Sequence, residues 1–171
     1  MSDSPGPTEA HAFGYDYGQL YVYDSGYRFS SEASEFLDAL DDATQSGLTV
    51  GLASGLVDVL MPRQENFSAR LEVAITATVP PVSDEADHIV EFDLVSSGRV
   101  TLEGSGGSGK IGIDVPPGPY RARLTGFAFA AAAAWSYADA GDASDHYRLE
   151  LWPTDQARPP AELRRWEGFA Q

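Results

Sequence analysis

The fold is predicted by residues 88–125, which read HIVEFDLVSSGRVTLEGSGGSGKIGIDVPPGPYRARLT. Apolar and polar residues alternate in each of its four segments, as at Val90, Phe92 and Leu94. This period of two is typical of strands that bury one face and expose the other. Runs rich in Gly, Ser and Pro, which favour turns, separate the segments at 96–98, 104–109 and 116–119. The stretch therefore predicts a four-stranded antiparallel meander within one sheet.

The same alternation extends outward along the chain. It occurs at 13–24, at 71–79 and at 147–151. With this many half-buried strands, we predict an all-β fold, an antiparallel β-sandwich in which the strands at 13–24 and 146–152 lie near each other.

One short covering helix is predicted at about 31–46. Ser30 and Ser31 are suitable caps, and Gly47 is a natural stop. Its predicted apolar face consists of Ala33, Phe36, Leu37 and Leu40. The apolar segments 48–60 and 128–134 fit either a strand or a helix.

The length of 171 residues predicts a single domain. We expect a disordered N-terminal lead at 1–12, the β-sandwich domain at 13–153 and a C-terminal tail at 154–171. The lead is poor in apolar residues, and the tail begins with closely spaced prolines.

Charge excludes several classes of function. The chain has 26 acidic and 11 basic residues, which gives a net charge of −15. Nucleic acids and anionic membranes are bound by clustered Lys and Arg, so neither is an expected partner. The sequence has no Cys, no long apolar run and no signal-peptide pattern, and we expect a cytoplasmic protein.

The sequence predicts no catalytic residue, no cofactor and no metal. Residues 104–110 resemble a phosphate-binding loop, but Ile111 stands where Ser or Thr is required. The acids Asp139, Asp142 and Asp145 lack the spacing of a calcium loop. We predict that the protein is not an enzyme. An enzyme would need at least two carboxylates among Glu91, Asp93, Asp114 and the 139–145 aspartates to converge.

Three segments resemble the competence protein J family, whose members inhibit a sugar-non-specific DNA-entry nuclease. They are FGYDYGQLYVY at 13–23, the pair DHIVEFDL at 87–94 and IDVPPGPYRARL at 113–124, and YRLELWP at 147–153. Together they cover about half of the chain. The chain departs from the family pattern at 104–109, at 128–134 and after Trp152. The resemblance implies a role as an inhibitor but no particular binding residues.

The leading hypothesis is an acidic, immunity-type inhibitor of a basic protein, either a nuclease or a toxin. A nuclease groove is basic because it holds phosphates, so an acidic protein fits it. The candidate contacts are Glu35, Asp38, Asp41 and Asp42 on the helix, and Glu91 and Asp93 on a strand. The alternative explanation for the acidic charge is that it only keeps the protein soluble.

The competing hypothesis is a small-ligand or sugar-binding β-sandwich. Period two places four tyrosines on one strand face, and aromatic rings stack well on sugars. The predicted platform consists of Tyr15, Tyr17, Tyr21, Tyr23 and Trp152. The alternative is that these rings fill the core.

Overall fold

The computed structural model describes residues 8–107 and 109–169. The strands are β1 (Thr8–Tyr15), β2 (Gln19–Asp24), β3 (Val50–Ala53), β4 (Leu56–Leu60), β5 (Asn66–Ile75), β6 (His88–Ser96), β7 (Arg99–Gly104), β8 (Lys110–Asp114), β9 (Gly118–Phe127), β10 (His146–Pro153) and β11 (Ala161–Arg164). The helices are α1 (Glu35–Ser46) and the shorter α2 (Phe129–Ala134). The predicted all-β sandwich with one short covering helix is confirmed, and α2 is an addition to it.

The strands form two sheets that enclose the core. The first sheet has the order β1-β5-β10-β9-β6-β11, and the second has the order β3-β4-β2-β7-β8. Neighbouring strands are antiparallel except β5 and β10, which run parallel. Side chains from both sheets are buried between them, including Val22, Leu71, Phe92, Leu102 and Leu149. The alternation of apolar residues thus builds one continuous core.

The predicted single-sheet meander is wrong. β6 pairs with β9 in the first sheet, whereas β7 pairs with β8 in the second. The turn at 96–98 carries the chain from one sheet to the other, so Val100 and Leu102 bury the core from the opposite side. The strands near the two termini do lie near each other, as predicted, because β1 and β10 both pair with β5.

The predicted strand at 13–24 is divided by a tight turn. Tyr17 and Gly18 have φ values of 53° and 66°, which suit a two-residue hairpin turn. β1 therefore joins the first sheet and β2 the second. Phe13 and Tyr15 lie in the core between the sheets, whereas Tyr21 and Tyr23 lie on the outer face of the second sheet, under α1.

Helix α1 packs on that outer face through its small residues. Ala39 and Ala43 are buried, and a Cβ at Gly51 of β3 would lie 2.0 Å from the Ala39 carbonyl oxygen. The predicted start at 31 is wrong, since the helix begins at Glu35. The predicted apolar face is right in part, since Phe36 packs against Tyr21 whereas Leu37 is 68% exposed. The predicted stop is confirmed, with Gly47 in the left-handed conformation at φ 71°.

Both ends of the chain contribute strands. Thr8 to Ala12, predicted to be disordered, pair with β5, and residues 1–7 of the predicted lead lie outside the described residues. The predicted tail contains β11, which pairs with β6.

A chain of hydrogen bonds holds β11 against β3. The Trp166 N–H donates to His88 Nδ1, so His88 Nε2 carries the proton and lies 2.6 Å from Thr49 Oγ1. The Thr49 hydroxyl then donates to Glu162 at 2.7 Å. This arrangement closes one side of the sandwich.

The two ambiguous segments adopt different structures. Residues 48–60 form the β3–β4 hairpin, and 129–134 form α2. Among the residues described, no helix has the length and apolar character needed to span a membrane.

Candidate partner-binding surface

The four predicted helix carboxylates have different environments. Asp38 and Asp41 are exposed on α1. Asp42 is also exposed, but it accepts a 2.8 Å hydrogen bond from the Leu52 N–H and thereby ties α1 to β3. Glu35 is buried and accepts hydrogen bonds from the backbone and side chain of Ser30, at 2.6 and 2.7 Å. Glu35 therefore orders the start of the helix and is removed from the candidate surface.

Hydrogen bonds also set the ionisation of Glu35. Its own backbone N–H and the backbone N–H and hydroxyl of Ser30 hold the pKa of this carboxyl below its usual value. The charged carboxylate near the first turn of α1 also complements the positive end of the helix dipole.

Glu91 and Asp93 lie on the outer face of the first sheet, as predicted, but they are engaged within the chain. Register pairs Glu91 with Arg123 and Asp93 with Arg121 across β6 and β9. Glu91 accepts hydrogen bonds from both arginines, at 3.2 Å from Arg121 Nε and 2.9 Å from Arg123 Nε. Asp93 lies 2.9 Å from Arg121 Nη1 and accepts a 2.6 Å bond from the Arg158 N–H. These two carboxylates are therefore not free for a partner.

The arginines of this ion network are buried. Only about 3% of Arg121 and of Arg123 is exposed. Arg123 also donates to the carbonyl oxygens of Pro80 and Pro81, and its guanidinium lies 5.2 Å from the centre of the Trp152 ring. The segments at 80–81 and at 158 thus cover a strand face that the alternating pattern predicts to be exposed to solvent.

The predicted tyrosine platform is wrong, because the structure buries most of its rings. Tyr15, Tyr21, Tyr23 and Trp152 are between 0 and 6% exposed, and only Tyr17 is largely exposed, at 61%. Tyr21 packs against Phe36 at 4.7 Å and Tyr23 against Phe29 at 5.1 Å between ring centres. Tyr23 borders a cleft of about 430 Å³, but its hydroxyl donates to Glu103 and its ring is covered by Phe29.

A buried hydrogen-bond cluster explains the position of Tyr15. Its hydroxyl donates to Asp145 at 2.7 Å, and Tyr147 donates to the same carboxylate oxygen at 2.6 Å. Asn66 donates to the other oxygen at 2.8 Å. Burial, reinforced by the negative charge of Asp145, raises the pKa of both tyrosines far above the usual range. Asp145 thus has three donors, which satisfy a carboxylate that is only 2% exposed.

Neither the acidic segment 139–145 nor the glycine-rich segment 104–110 forms a ligand site within the described residues. Asp139 and Asp142 are exposed and Asp145 is buried, so the three aspartates do not converge. Within 8–107 and 109–169, no group of three or more His, Asp or Glu side chains is arranged to hold a metal ion. Residues 104–110 connect the antiparallel strands β7 and β8, and the helix that a phosphate-binding loop requires is replaced by a strand.

Sequence reasoning missed one group of aromatic residues at the surface, of which two are exposed. Phe67, Trp135 and Tyr137 line a small pocket beside Glu65 and Asp142. Phe67 and Tyr137 are 56% and 71% exposed. The aromatic residues after the alanine run were a signal, but the ambiguity of that run left their placement open.

The fold is similar to two solved structures. ComJ from Bacillus subtilis, inhibitor of the DNA degrading activity of NucA, matches with a TM-score of 0.60 and 13% identity, covering 85% of this chain and 96% of ComJ. Crocagin biosynthetic gene J matches with a TM-score of 0.58 and 17% identity, covering 86% of this chain and 97% of the other. No protein-family model matches the chain, and no curated protein sequence matches it. At these identities the likeness establishes the fold alone.

Proposed function

We propose that this protein is a non-enzymatic intracellular binding protein that inhibits a nuclease by occupying its nucleic-acid groove. The observation that carries the proposal is the likeness to ComJ, which extends over 96% of that inhibitor. A net charge of −15 supports it, because a groove that binds phosphates is basic and attracts an acidic protein.

The exposed side of α1 is the proposed contact surface. Asp38 and Asp41 are exposed, and no ion pair within the described residues includes either of them. Leu37 lies beside them with 68% of its surface exposed. A partner that covers this side gains an apolar contact and two carboxylates whose charge is not already compensated. Glu35, Glu91 and Asp93 contribute to the fold instead.

Reversing the charge of Asp38 and Asp41 is expected to slow association with the nuclease about tenfold at low salt. Charges at the rim of an interface act mainly on the association rate, and the effect weakens when ions screen them above about 0.15 M salt. The measurement is stopped-flow association of the Asp38→Lys/Asp41→Lys variant with NucA, and with any nuclease encoded beside this chain's gene. Asp42 is left intact because its bond to Leu52 holds the helix in place.

The matched control is Asp84→Lys/Glu85→Lys, which makes the same change in net charge at two exposed acids outside α1. It is expected to slow association less than the helix variant. Equal slowing by both variants would assign the effect to net charge and remove α1 from the interface. Failure of the wild-type protein to inhibit either nuclease would overturn the proposed function.

A further inference from the structure

A small pocket opens between the start of β5 and the segment that follows α2. Its volume is about 100 Å³, and its walls include the side chains of Phe67, Trp135 and Tyr137. The space is large enough for several water molecules. A volume of this size accommodates the end of one long side chain and is too small for a folded segment.

Two of the three aromatic side chains that line the pocket are exposed. Phe67 is 56% exposed and Tyr137 is 71% exposed. Trp135 and Tyr137 meet edge to face, with 5.1 Å between ring centres. Tyr and Trp at such positions are enriched among the residues that dominate binding energy at protein interfaces. The pocket therefore has the composition of a binding site on the surface.

Carboxylates surround these rings. Glu65 and Asp142 line the pocket, and Glu65 accepts a hydrogen bond from the Tyr137 hydroxyl. The nearby cation is Arg63, whose guanidinium lies 4.6 Å from the centre of the Trp135 ring. Arg63 is held there because it donates to the carbonyl oxygens of Ala132 and Trp135, at 2.7 and 3.3 Å.

The carboxylates and the guanidinium at this pocket together give a net negative charge. The two lining carboxylates outnumber the guanidinium of Arg63. The Arg63–Trp135 contact shows that the indole already stacks with a guanidinium on one side. A second cation against Phe67 and Tyr137 would gain cation–π attraction as well as attraction to the carboxylates.

We propose that this pocket receives one arginine or lysine side chain of a basic partner protein. The aromatic rings contact its aliphatic stem and its cationic head, while Glu65 and Asp142 neutralise the charge. The identity of that partner as a nuclease rests on the function proposed above. The pocket itself stands on its volume, its exposed rings and its excess of carboxylates.

The binding test uses a probe that needs no nuclease. The labelled protein is titrated with Nα-acetyl-arginine amide and, separately, with Nα-acetyl-citrulline amide, which has nearly the same shape without the charge. The readout is the NMR signal of the Trp135 indole N–H, which has no hydrogen-bond partner among the described residues. We expect saturable shifts with the arginine probe at millimolar concentration and at least about fivefold weaker binding of the citrulline probe.

Substitutions in the pocket test whether the arginine probe binds there. Phe67→Ser/Tyr137→Ser is expected to weaken binding of the arginine probe about tenfold, and Asp142→Asn, which keeps the side-chain shape, about threefold. Tyr17→Ser is the matched control, because this ring is 61% exposed and does not line the pocket. It should leave binding unchanged. Equal binding of the two probes, or full binding by both pocket variants, would overturn the proposal.

Nuclease inhibition supplies the second measurement. Phe67→Ser/Tyr137→Ser should weaken inhibition at least about tenfold, as loss of an interface anchor does. Unchanged inhibition would overturn the assignment of the pocket to that partner. A wild-type protein that binds the arginine probe but inhibits no nuclease would instead overturn the proposed function and support the pocket as a site for a basic side chain.

Discussion

Replacing Glu91 with alanine is expected to lower the free energy of unfolding by about 3–5 kcal/mol, because the change leaves buried cations without their counter-charge. Glu91 bonds to both Arg121 and Arg123, and about 3% of each arginine is exposed. Arg121 would keep the carboxylate of Asp93, and Arg123 would keep the carboxylate of Glu150 at 4.0 Å. The measurement is urea denaturation of the wild-type protein and of Glu91→Ala at neutral pH.

Two further variants test whether the loss of stability in Glu91→Ala comes from the burial of the charges or from the loss of an ion pair alone. Asp114→Ala removes the partner of Arg99, a 2.6 Å ion pair whose side chains are 54% and 84% exposed, and it should cost less than about 1 kcal/mol. A variant that replaces Glu91, Arg121 and Arg123 together with apolar residues should recover part of the stability lost in Glu91→Ala, since the two buried cations are gone while Asp93 and Glu150 lose their arginine partners. Equal losses for Glu91→Ala and Asp114→Ala would show that the network is solvated.

The sequence predicts individual strands better than it predicts their surroundings. Alternation at 71–75, 88–96 and 147–151 matches β5, β6 and β10, because each buries one face against the same core. The alternation continues to Val79, but β5 ends at Ile75. It treats the other face as solvated, and for Glu91 that assumption is wrong. The covering residues Pro80, Pro81 and Arg158 are distant in sequence, and their approach depends on the tertiary fold.

The tyrosine platform was mispredicted for a local reason. Continuous alternation from Phe13 to Tyr23 gives no sign of a break, because the turn uses Tyr17 in a left-handed conformation instead of Asn-Gly. Once the chain reverses there, Tyr15 and Tyr21 belong to different sheets. The helix carboxylates were easier to place, since Asp38 and Asp41 remain exposed on a helix whose stop at Gly47 was predictable.

A carboxyl group is buried in the second sheet under α1. Asp58 of β4 is fully buried between Gly51 of β3 and Tyr21 of β2, which are its register partners. Neither of its carboxylate oxygens has a hydrogen-bond partner among the described residues. Burial raises the pKa of Asp58 from 3.8 to about 7. The folded protein therefore holds a proton on Asp58 that the unfolded chain releases near pH 4.

Because of this proton, the contribution of Asp58 to the free energy of unfolding falls as the pH rises. The contribution of Asp58 is fully present below pH 3.8 and is lost as the pH rises to about 7, a loss of roughly 4 kcal/mol for about three pKa units. His88 acts in the opposite direction, because burial lowers its pKa from 6.5 to about 4. Its contribution is present above pH 6.5 and is lost as the pH falls to about 4, so between these pH values it partly offsets the contribution of Asp58.

Asp58→Asn should remove the pH dependence that Asp58 gives to the free energy of unfolding, because asparagine keeps the shape of the side chain and cannot ionise. We expect the variant to match the wild-type protein near pH 4 and to exceed its free energy of unfolding by roughly 4 kcal/mol above pH 7, where the wild type must bury a charge. The measurement is urea denaturation from pH 4 to pH 8, with the exposed Asp41→Asn as the control for loss of one acid. A difference between Asp58→Asn and wild type that stays constant with pH would show that Asp58 ionises normally in the folded protein.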